Sequence, residues 1–218
     1  MDRIYRVRHG TGGRYVVERD DALHWLEGDL FGDYRTGAGI DEPLLFIKPP
    51  TTVVGPEAAI RIPDWAGRIE HEAEMAIVIG RRASRVKARD AMDYILGITC
   101  LCDVTARELQ AKDVQYSRAK GFDTFAPIGP CIAVGLDPAE LEVEGWVNGQ
   151  KRQHSNTREL IFPVPEIVEW LTRFCTLEPG DVITTGTPSG VGPLVPGDRM
   201  MVKVQGVGAL SNPCVEAE

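Results

Sequence analysis

The chain has 218 residues, of which 43% are hydrophobic and 26% charged, and its formal charge at neutral pH is -8. This composition is typical of a globular protein long enough to bury a substantial core. The acidic excess argues against a nucleic-acid or anionic-membrane partner, because either would need a clustered basic surface. No run reaches the roughly 20 apolar residues of a membrane span, and the N-terminus lacks a signal peptide's apolar core. We therefore expect a cytoplasmic protein whose partners are small molecules and a second copy of itself.

Residues 1–40 predict a small N-terminal β-rich region. Tyr15-Val16-Val17 is typical of a strand, and the stretch over residues 28–33 is rich in turn-forming residues. Thr36–Gly39 contains two glycines and is expected to be loose. We expect the main domain to cover residues 41–218.

From Pro43 onward, short β-like runs alternate with Pro and Gly, which predicts a β-rich core. The runs are Leu44–Ile47, Ala76–Ile79, Ile98–Cys102, Leu141–Val147, Val182–Thr185 and Met200–Val204. Asn148-Gly149 predicts a hairpin with a type I′ turn, because both central residues of that turn need positive φ.

Two helices are predicted, so the expected fold class is α+β with strands dominant. One helix spans Ala88–Ile95. The other begins at Pro165, carries an apolar face and is stopped by Pro179-Gly180. The face consists of Ile167, Val168, Leu171, Phe174 and Cys175.

Five cysteines, an odd number without framework spacing, predict reduced thiols with structural roles. Cys100 and Cys102 are close neighbours but have no second cysteine pair with which to build a metal site.

Glu72 and Glu74 stand two residues apart where the chain becomes an apolar strand that ends at Ile79. Because strand side chains return to the same face every second residue, the two carboxylates are expected to point together. Two interpretations are open at this point. The pair belongs to the solvated face of a strand, which is the commoner case, or it binds a cation.

Asp103 is a third acidic candidate, at the end of the run Ile98–Cys102. It suits the N-cap of a helix, where its oxygen would accept a backbone N–H. If the helix begins there, Arg107 and Gln110 lie roughly on the face that Asp103 begins. Three carboxylates without a Cys or His cluster favour a hard ion, Mg²⁺, Mn²⁺ or Ca²⁺, over zinc.

Five segments, taken in order along residues 41–218, closely resemble the fumarylacetoacetate hydrolase family. They are Leu45–Pro50, His71–Glu74, Asp103–Glu108, Asn148-Gly149 with Gln153–Thr157, and Pro179–Pro193. The last segment contains a glycine-rich stretch, but it lacks the Gly-Lys-Ser/Thr ending of a phosphate-binding loop. The order of the five segments makes the resemblance specific.

The resemblance implies a rolled, mixed β-sheet barrel with a few peripheral helices, usually a homodimer, and a divalent metal at the open end. In such proteins the carboxylates that match Glu72, Glu74 and Asp103 hold Mg²⁺ or a similar ion. The groups that match four further residues contact the substrate's carboxylate and keto oxygens. These residues are Arg107, Gln110, Lys120 and Thr187. Lys120 is also the expected catalytic residue, because its charge would stabilise an oxyanion.

The resemblance also implies substrates that are 2-oxo or β-diketo acids. A metal that chelates the 1-carboxylate and the 2-oxo oxygen stabilises the enolate formed by carbon–carbon cleavage, decarboxylation or a proton shift. The expected reactions are isomerisation or decarboxylation of 2-hydroxyhepta-2,4-diene-1,7-dioate-type compounds, or hydrolysis of acylpyruvates, in the breakdown of aromatic compounds.

One departure from the family pattern bears on catalysis. Related enzymes carry a strand and a mobile lid before the segment that resembles Leu45–Pro50, and the lid bears a Tyr and a Glu-assisted His. Here Ile40 is followed directly by Asp41. Either the protein lacks these elements or the sequence lacks a stretch at this junction, and the abrupt change from glycine to acidic residues favours the second.

None of the four histidines of this sequence is expected to replace the histidine of the lid. His9 and His24 lie in the N-terminal region, His71 is expected to have a structural role, and His154 is expected at the surface. The general acid–base group is therefore unassigned. An alternative to an enzyme is a catalytically silent family member that binds a 2-oxo acid and a metal.

Overall fold

The computed structural model describes residues 3–9, 12–19, 22–28, 34–39 and 42–217. The chain divides into two compact units, Met1–Leu45 and Phe46–Glu218. The sequence predicts this boundary after residue 40.

The N-terminal unit contains an antiparallel sheet whose four strands follow one another in chain order. They are β1 (Arg3–His9), β2 (Gly12–Arg19), β3 (Ala22–Gly28) and β4 (Tyr34–Gly39). The predicted strand at Tyr15–Val17 lies within β2. The prediction that Thr36–Gly39 is loose is wrong, because this segment pairs with β3. Of the predicted turn over residues 28–33, all but Gly28 lies outside the described residues.

The larger unit contains thirteen strands in its described part. They are β5 (Val53–Val54), β6 (Ile60–Ile62), β7 (Ile69–His71), β8 (Ala73–Ile79), β9 (Ile95–Cys102), β10 (Thr105–Ala106), β11 (Ala126–Ala133), β12 (Glu142–Val147), β13 (Gln150–Asn156), β14 (Val182–Thr184), β15 (Gly192–Pro193), β16 (Arg199–Val204) and β17 (Gly208–Glu216). The α-helices are α1 (Arg107–Lys112), α2 (Ser117–Lys120) and α3 (Val164–Thr172), and 3₁₀ turns cover Pro50–Thr52, Ala88–Tyr94 and Thr157–Glu159.

The strands of this unit form two five-stranded sheets, ordered β14-β8-β9-β11-β5 and β13-β12-β16-β17-β6, and a short sheet ordered β10-β7-β15. The pairs β11–β5 and β17–β6 are parallel, while the long central pairs are antiparallel. The sheets curl into a mixed half-barrel, which confirms the predicted strand-dominant α+β fold.

Strand β8 lies between β14 and β9 in its sheet and is buried at all seven positions. Its apolar side chains, such as Met75 and Ile77, join one continuous core with β9 and β16. A strand covered on both faces normally reads as an unbroken apolar run. Glu74 is the exception in β8, so the fold places a carboxylate in the protein interior.

Most predicted elements are present, with differences at their ends. The predicted runs from Ala76 onward overlap β8, β9, β12, β14 and β16. Asn148 and Gly149 join β12 to β13 with φ of 51° and 75°, which confirms the type I′ turn. The predicted strand at Leu44–Ile47 is wrong: the segment pairs with no strand of the described residues, and its apolar side chains are largely exposed.

Both predicted helices are shorter or tighter than expected. Ala88–Tyr94 is a 3₁₀ helix. Helix α3 buries Ile167, Val168 and Leu171 but ends at Thr172, well before Pro179-Gly180. It ends there because the following residues turn back to form a β-bridge between Leu177 and Ala83. Phe174 lies beyond the helix and is 57% exposed.

The cysteines are free thiols, as predicted. Cys100, Cys102 and Cys214 are buried in the core, Cys175 is partly buried and Cys131 is exposed. Among the described residues, no helix has the length and apolar character needed to cross a membrane.

Candidate active site

Three buried carboxylates meet where β7, β8 and β9 come together. Glu74 belongs to β8, Glu72 is the residue between β7 and β8, and Asp103 directly follows β9. Antiparallel pairing sets Ala73 opposite Cys102, and the Asp103 backbone N–H donates to the Glu72 carbonyl at 2.9 Å. One oxygen of each carboxylate lies within 4.8 Å of the others. The exposed fractions of Glu72, Glu74 and Asp103 are 7%, 2% and 1%, so these residues are not a solvated strand face.

Asp103 does not cap a helix. Helix α1 begins four residues later, after Ala106, and has no side-chain cap. The Asp103 carboxylate instead accepts hydrogen bonds from two ammonium groups: Lys48 Nζ donates to Oδ1 at 2.8 Å, and Lys120 Nζ donates to Oδ2. Burial alone would raise the pKa of Asp103, but the charges of Lys120 and Lys48 lower it below its ordinary value. Asp103 is therefore ionised at neutral pH.

Lys120 ends α2 and is 2% exposed. Its ammonium donates to Glu72 Oε2 at 2.8 Å as well as to Asp103, and it lies 4.8 Å from the centre of the Phe46 ring. Burial would lower the pKa of Lys120, but the carboxylates of Asp103 and Glu72 raise it above its ordinary value. Lys120 therefore retains its proton at neutral pH and is a fixed positive charge inside the site.

Glu72 and Asp103 each accept a hydrogen bond from a lysine, whereas among the described residues no lysine donates to Glu74. Glu74 Oε2 accepts from the Gly186 backbone N–H at 2.8 Å and from the Thr184 hydroxyl. Burial, together with repulsion from Asp103 and Glu72, raises the pKa of Glu74 to about 8.

The donor set fits a hard divalent cation. Glu72, Glu74 and Asp103 offer three carboxylate oxygens, and among the described residues no Cys or His belongs to this group. Burial and repulsion from the neighbouring carboxylates both disfavour the ionised form of Glu74, and a divalent cation beside it would favour that form.

Arg107, the first residue of α1, lies against the same cluster. Its Nε donates to Glu70 Oε2 at 2.5 Å, one terminal nitrogen donates to Gln110 Oε1 at 2.7 Å, and the other donates to Glu72 Oε1. A guanidinium has five N–H groups, so these bonds leave two for a ligand. Attraction to Glu72 and Glu70 outweighs the effect of burial and raises the pKa of Arg107.

Thr187 follows Gly186 in the segment between β14 and β15. Its hydroxyl donates to the Ala73 carbonyl at 2.9 Å and accepts from Gln153 Nε2 at 2.8 Å. The single hydroxyl proton is therefore used within the protein. Contact of Thr187 with a substrate, which the family resemblance implies, stays a prediction.

Sequence reasoning missed three residues of this site. Lys48 uses its ammonium on Asp103, the Val104 carbonyl and the Lys120 carbonyl, at 2.8, 3.4 and 2.6 Å. Glu70 is fully buried and pairs with Arg107. Gln153 binds the loop that carries Thr187. Glu70 has the same strand parity as Glu72 and Glu74, and that signal could have identified it.

Of the histidines in the larger unit, His71 is buried and His154 is exposed, as predicted. His71 Nδ1 lies 2.9 Å from Gln153 Oε1. Burial lowers the pKa of His71, so its ring is neutral at pH 7. His154 faces Glu142 and Glu144 in a second acidic group, where Lys151 already pairs with Glu144.

Known proteins resemble this chain in sequence and in structure. Residues 32–215 match the family model described as fumarylacetoacetate hydrolase, C-terminal. An uncharacterised protein from Pyrococcus abyssi is 50% identical over 176 residues, which cover 78% of each chain. The mitochondrial oxaloacetate tautomerase of Xenopus laevis is 41% identical over 186 residues, which cover 80% of this chain and 58% of that protein.

A solved structure extends the likeness to the whole chain. The X-ray structure of 5-carboxymethyl-2-hydroxymuconate delta-isomerase from Mycobacterium smegmatis has a TM-score of 0.81 and 36% sequence identity, and the match covers 100% of both chains. The family model covers most of the sequence and the relatives share up to half of the aligned residues. The chain therefore belongs to the fumarylacetoacetate hydrolase family.

Proposed function

We propose that this protein is a divalent-metal-dependent enzyme that moves a proton on 2-oxo or β-diketo (di)carboxylates through an enolate. The observation that carries the proposal is the buried cluster of Glu72, Glu74 and Asp103 with the ammonium of Lys120 bonded to two of its members. Glu72, Glu74 and Asp103 would hold the ion, with Mg²⁺ the first candidate and Mn²⁺ or Ca²⁺ the alternatives. A bound divalent ion acts as a Lewis acid towards a 2-oxo acid and increases the acidity of its carbon 3.

The chain's own cations, Arg107 and Lys120, would stabilise negative charge on the substrate. The two unused N–H groups of Arg107 suit a carboxylate, because a guanidinium binds carboxylates in a fork. Gln110 accepts from Arg107 and holds its guanidinium in place. Lys120 keeps its proton, so it stabilises the charge on the 2-oxo oxygen electrostatically and does not act as a base.

In the proposed reaction of the keto form, the C–H bond at carbon 3 breaks and its proton passes to a water molecule. The electron pair of that bond forms the carbon–carbon double bond of the enolate, and the carbonyl electrons move to the 2-oxo oxygen. Return of a proton to the 2-oxo oxygen then gives the enol tautomer, and return to a conjugated carbon gives the isomer. The two named enzymes reported above are a tautomerase and an isomerase, and their reactions support a proton shift.

The proposal is tested with three substrates: oxaloacetate, an acylpyruvate and a 2-hydroxyhepta-2,4-diene-1,7-dioate. Each is assayed with Mg²⁺, with Mn²⁺ and after chelation, using the wild type and Lys120→Met, which keeps the length of the side chain but removes its charge. We expect metal-dependent isomerisation in the wild type and a loss of at least a hundredfold in kcat for Lys120→Met, as for the removal of one oxyanion donor. Cleavage or decarboxylation without a proton shift would contradict the reaction class.

A catalytically silent protein that binds a 2-oxo acid and a metal is the second candidate. It is favoured by the direct passage from Ile40 to Asp41, which leaves the sequence without the lid histidine of related enzymes. Calorimetry separates the two candidates. Binding of Mn²⁺ and then of oxalate, a non-reactive analogue of the enolate, without turnover of any of the three substrates would favour the silent protein.

A further inference from the structure

Gln153 connects the strand that carries Glu72 and Glu74 to the loop that carries Thr187. It belongs to β13 and is 1% exposed. Its Oε1 accepts from the Ala73 backbone N–H at 3.0 Å and from His71 Nδ1 at 2.9 Å. Its Nε2 donates to the Thr187 hydroxyl and to the Pro188 carbonyl, both at 2.8 Å. Two acceptor positions and two donors are therefore all used, which is the full capacity of an amide.

The orientation of this amide is fixed by its backbone partners. The Ala73 N–H can only donate, so it must face the oxygen of Gln153. The Pro188 carbonyl can only accept, so it must face the nitrogen. His71 must then carry its proton on Nδ1, which agrees with a neutral ring.

The hydrogen bonds of Gln153 close a ring around Ala73, the residue between Glu72 and Glu74. Gln153 accepts a hydrogen bond from the Ala73 N–H and donates one to the Thr187 hydroxyl. The Thr187 hydroxyl in turn donates to the Ala73 carbonyl. Gly186, next to Thr187, donates its N–H to Glu74. The same loop therefore contacts both the backbone between the two carboxylates and one of the carboxylates.

Two glycines leave room for the Gln153 side chain. A Cβ on Gly145, which lies opposite Gln153 on β12, would come within 2.7 Å of Gln153 Oε1 and 2.9 Å of the Ala73 Cβ. A Cβ on Gly190, whose φ is +100°, would collide with the Arg152 carbonyl and approach Gln153 Cγ to 3.3 Å. The loop after β14 can pack on Gln153 only because residue 190 has no side chain.

We propose that Gln153 is a positioning residue of the active site, which fixes the Gly186–Pro188 loop against the strand of Glu72 and Glu74. It acts through Thr187 and Ala73 and does not itself touch the reacting atoms. The inference rests on the proposed function for its role in catalysis, but the coupling between the loop and the carboxylates exists without a substrate.

The test uses Gln153→Glu, which keeps the size and the acceptor oxygen of the side chain but removes both N–H donors. Gln150→Glu is the matched control, since it makes the same substitution at an exposed position of the same strand. Amide hydrogen exchange of the metal-free protein is followed by mass spectrometry over residues 184–190, and Mn²⁺ affinity is measured by calorimetry. Neither readout requires turnover, so both remain valid if the proposed reaction is wrong.

We expect Gln153→Glu to exchange at least tenfold faster over residues 184–190, with the other core segments unchanged, and to bind Mn²⁺ about tenfold more weakly, as for other residues that orient metal ligands. Gln150→Glu should behave as the wild type. Normal protection of residues 184–190 in Gln153→Glu would overturn the proposal, and so would an equal loss of protection throughout the larger unit.

If Gln153→Glu does not fold, Thr187→Val and Thr187→Ser test the same coupling. Valine removes the hydroxyl that Gln153 holds, whereas serine keeps it. Faster exchange over residues 184–190 in Thr187→Val, with recovery in Thr187→Ser, supports the proposal, and identical behaviour of the two variants contradicts it.

Discussion

Replacing Glu74 by glutamine should stabilise the metal-free protein and weaken the further stabilisation that a bound metal provides. In Glu74→Gln, the amide oxygen can keep the hydrogen bonds from Gly186 and Thr184, while the amide nitrogen faces Glu72 and Asp103. The substitution thus preserves size and hydrogen bonds and removes one of three negative charges. The variant therefore distinguishes the effect of charge repulsion on stability from the effect of packing.

The separation of the carboxylates sets the scale of the effect. Two unit charges 4.8 Å apart interact by about 3.5 kcal/mol at an effective dielectric constant near 20. Glu74 experiences this repulsion from both Glu72 and Asp103, and Lys120 offsets part of it. We expect metal-free Glu74→Gln to be more stable than the metal-free wild type by about 1–3 kcal/mol at pH 8.5, where Glu74 is ionised in the wild type.

Metal should stabilise the wild type more than it stabilises Glu74→Gln. A ligand at one hundred times its Kd stabilises a protein by about 2.7 kcal/mol, and at its Kd by about 0.4 kcal/mol. If the loss of one ligand weakens binding at least a hundredfold, the metal-induced rise in Tm falls from about 5–10 °C in the wild type to about 1 °C in Glu74→Gln.

The assay is thermal and urea unfolding at pH 8.5, with a chelator and with excess Mn²⁺. Glu142→Gln, at an exposed glutamate in the second acidic group, is the matched control and should follow the wild type in both conditions. The reasoning would be refuted if metal-free Glu74→Gln were less stable than the wild type, or if its response to Mn²⁺ were undiminished.

Three further predictions concern the surroundings of the site and the core. Arg107→Lys cannot reproduce the fork to Glu70, Glu72 and Gln110, so steady-state kinetics should show a KM at least tenfold higher and urea unfolding a loss of about 1–3 kcal/mol. Exposed Cys131 should react with a thiol reagent in the native protein, whereas Cys100 and Cys214 should react only on unfolding, as counted by mass spectrometry. Burial raises the pKa of Cys100 to about 12, so above about pH 9 the unfolded thiol loses its proton first and stability falls by about 1.4 kcal/mol per pH unit. In Cys100→Ala, the slope of unfolding free energy between pH 9 and 11 should be shallower by that amount, and an unchanged slope would contradict the assignment.

The arrangement of Glu72 and Glu74 could be predicted from sequence because it depends on strand parity, which is a local property. The same parity places Glu70 on the same side, but a third acidic residue next to a histidine gave no reason to expect burial. The local pattern could not predict the surroundings of the Glu72 and Glu74 side chains. Pairing with β9 and β14 encloses the edges of β8, and β12 and β16 pack against it. This enclosure changes the pair from a solvated face into an interior cluster.

Contacts between distant parts of the chain explain most of what was missed. Lys48 and Asp103 are 55 residues apart, and Gln153 lies 80 residues from Ala73. The N-cap interpretation of Asp103 was wrong because two distant lysines bind its carboxylate and the helix begins later, at Arg107. Leu44–Ile47 has a composition typical of a strand, but no strand of the described residues pairs with it.

The central claim, formation of an enolate in this site, is tested most directly by proton exchange at carbon 3. A 2-oxo acid in D₂O is followed by proton NMR with the wild type and Mg²⁺, with the chelated wild type, with Glu74→Gln and with Mg²⁺ alone. We predict rapid loss of the carbon-3 proton signal only with the wild type and Mg²⁺. Exchange no faster than with Mg²⁺ alone, or equally fast with Glu74→Gln, would contradict the claim.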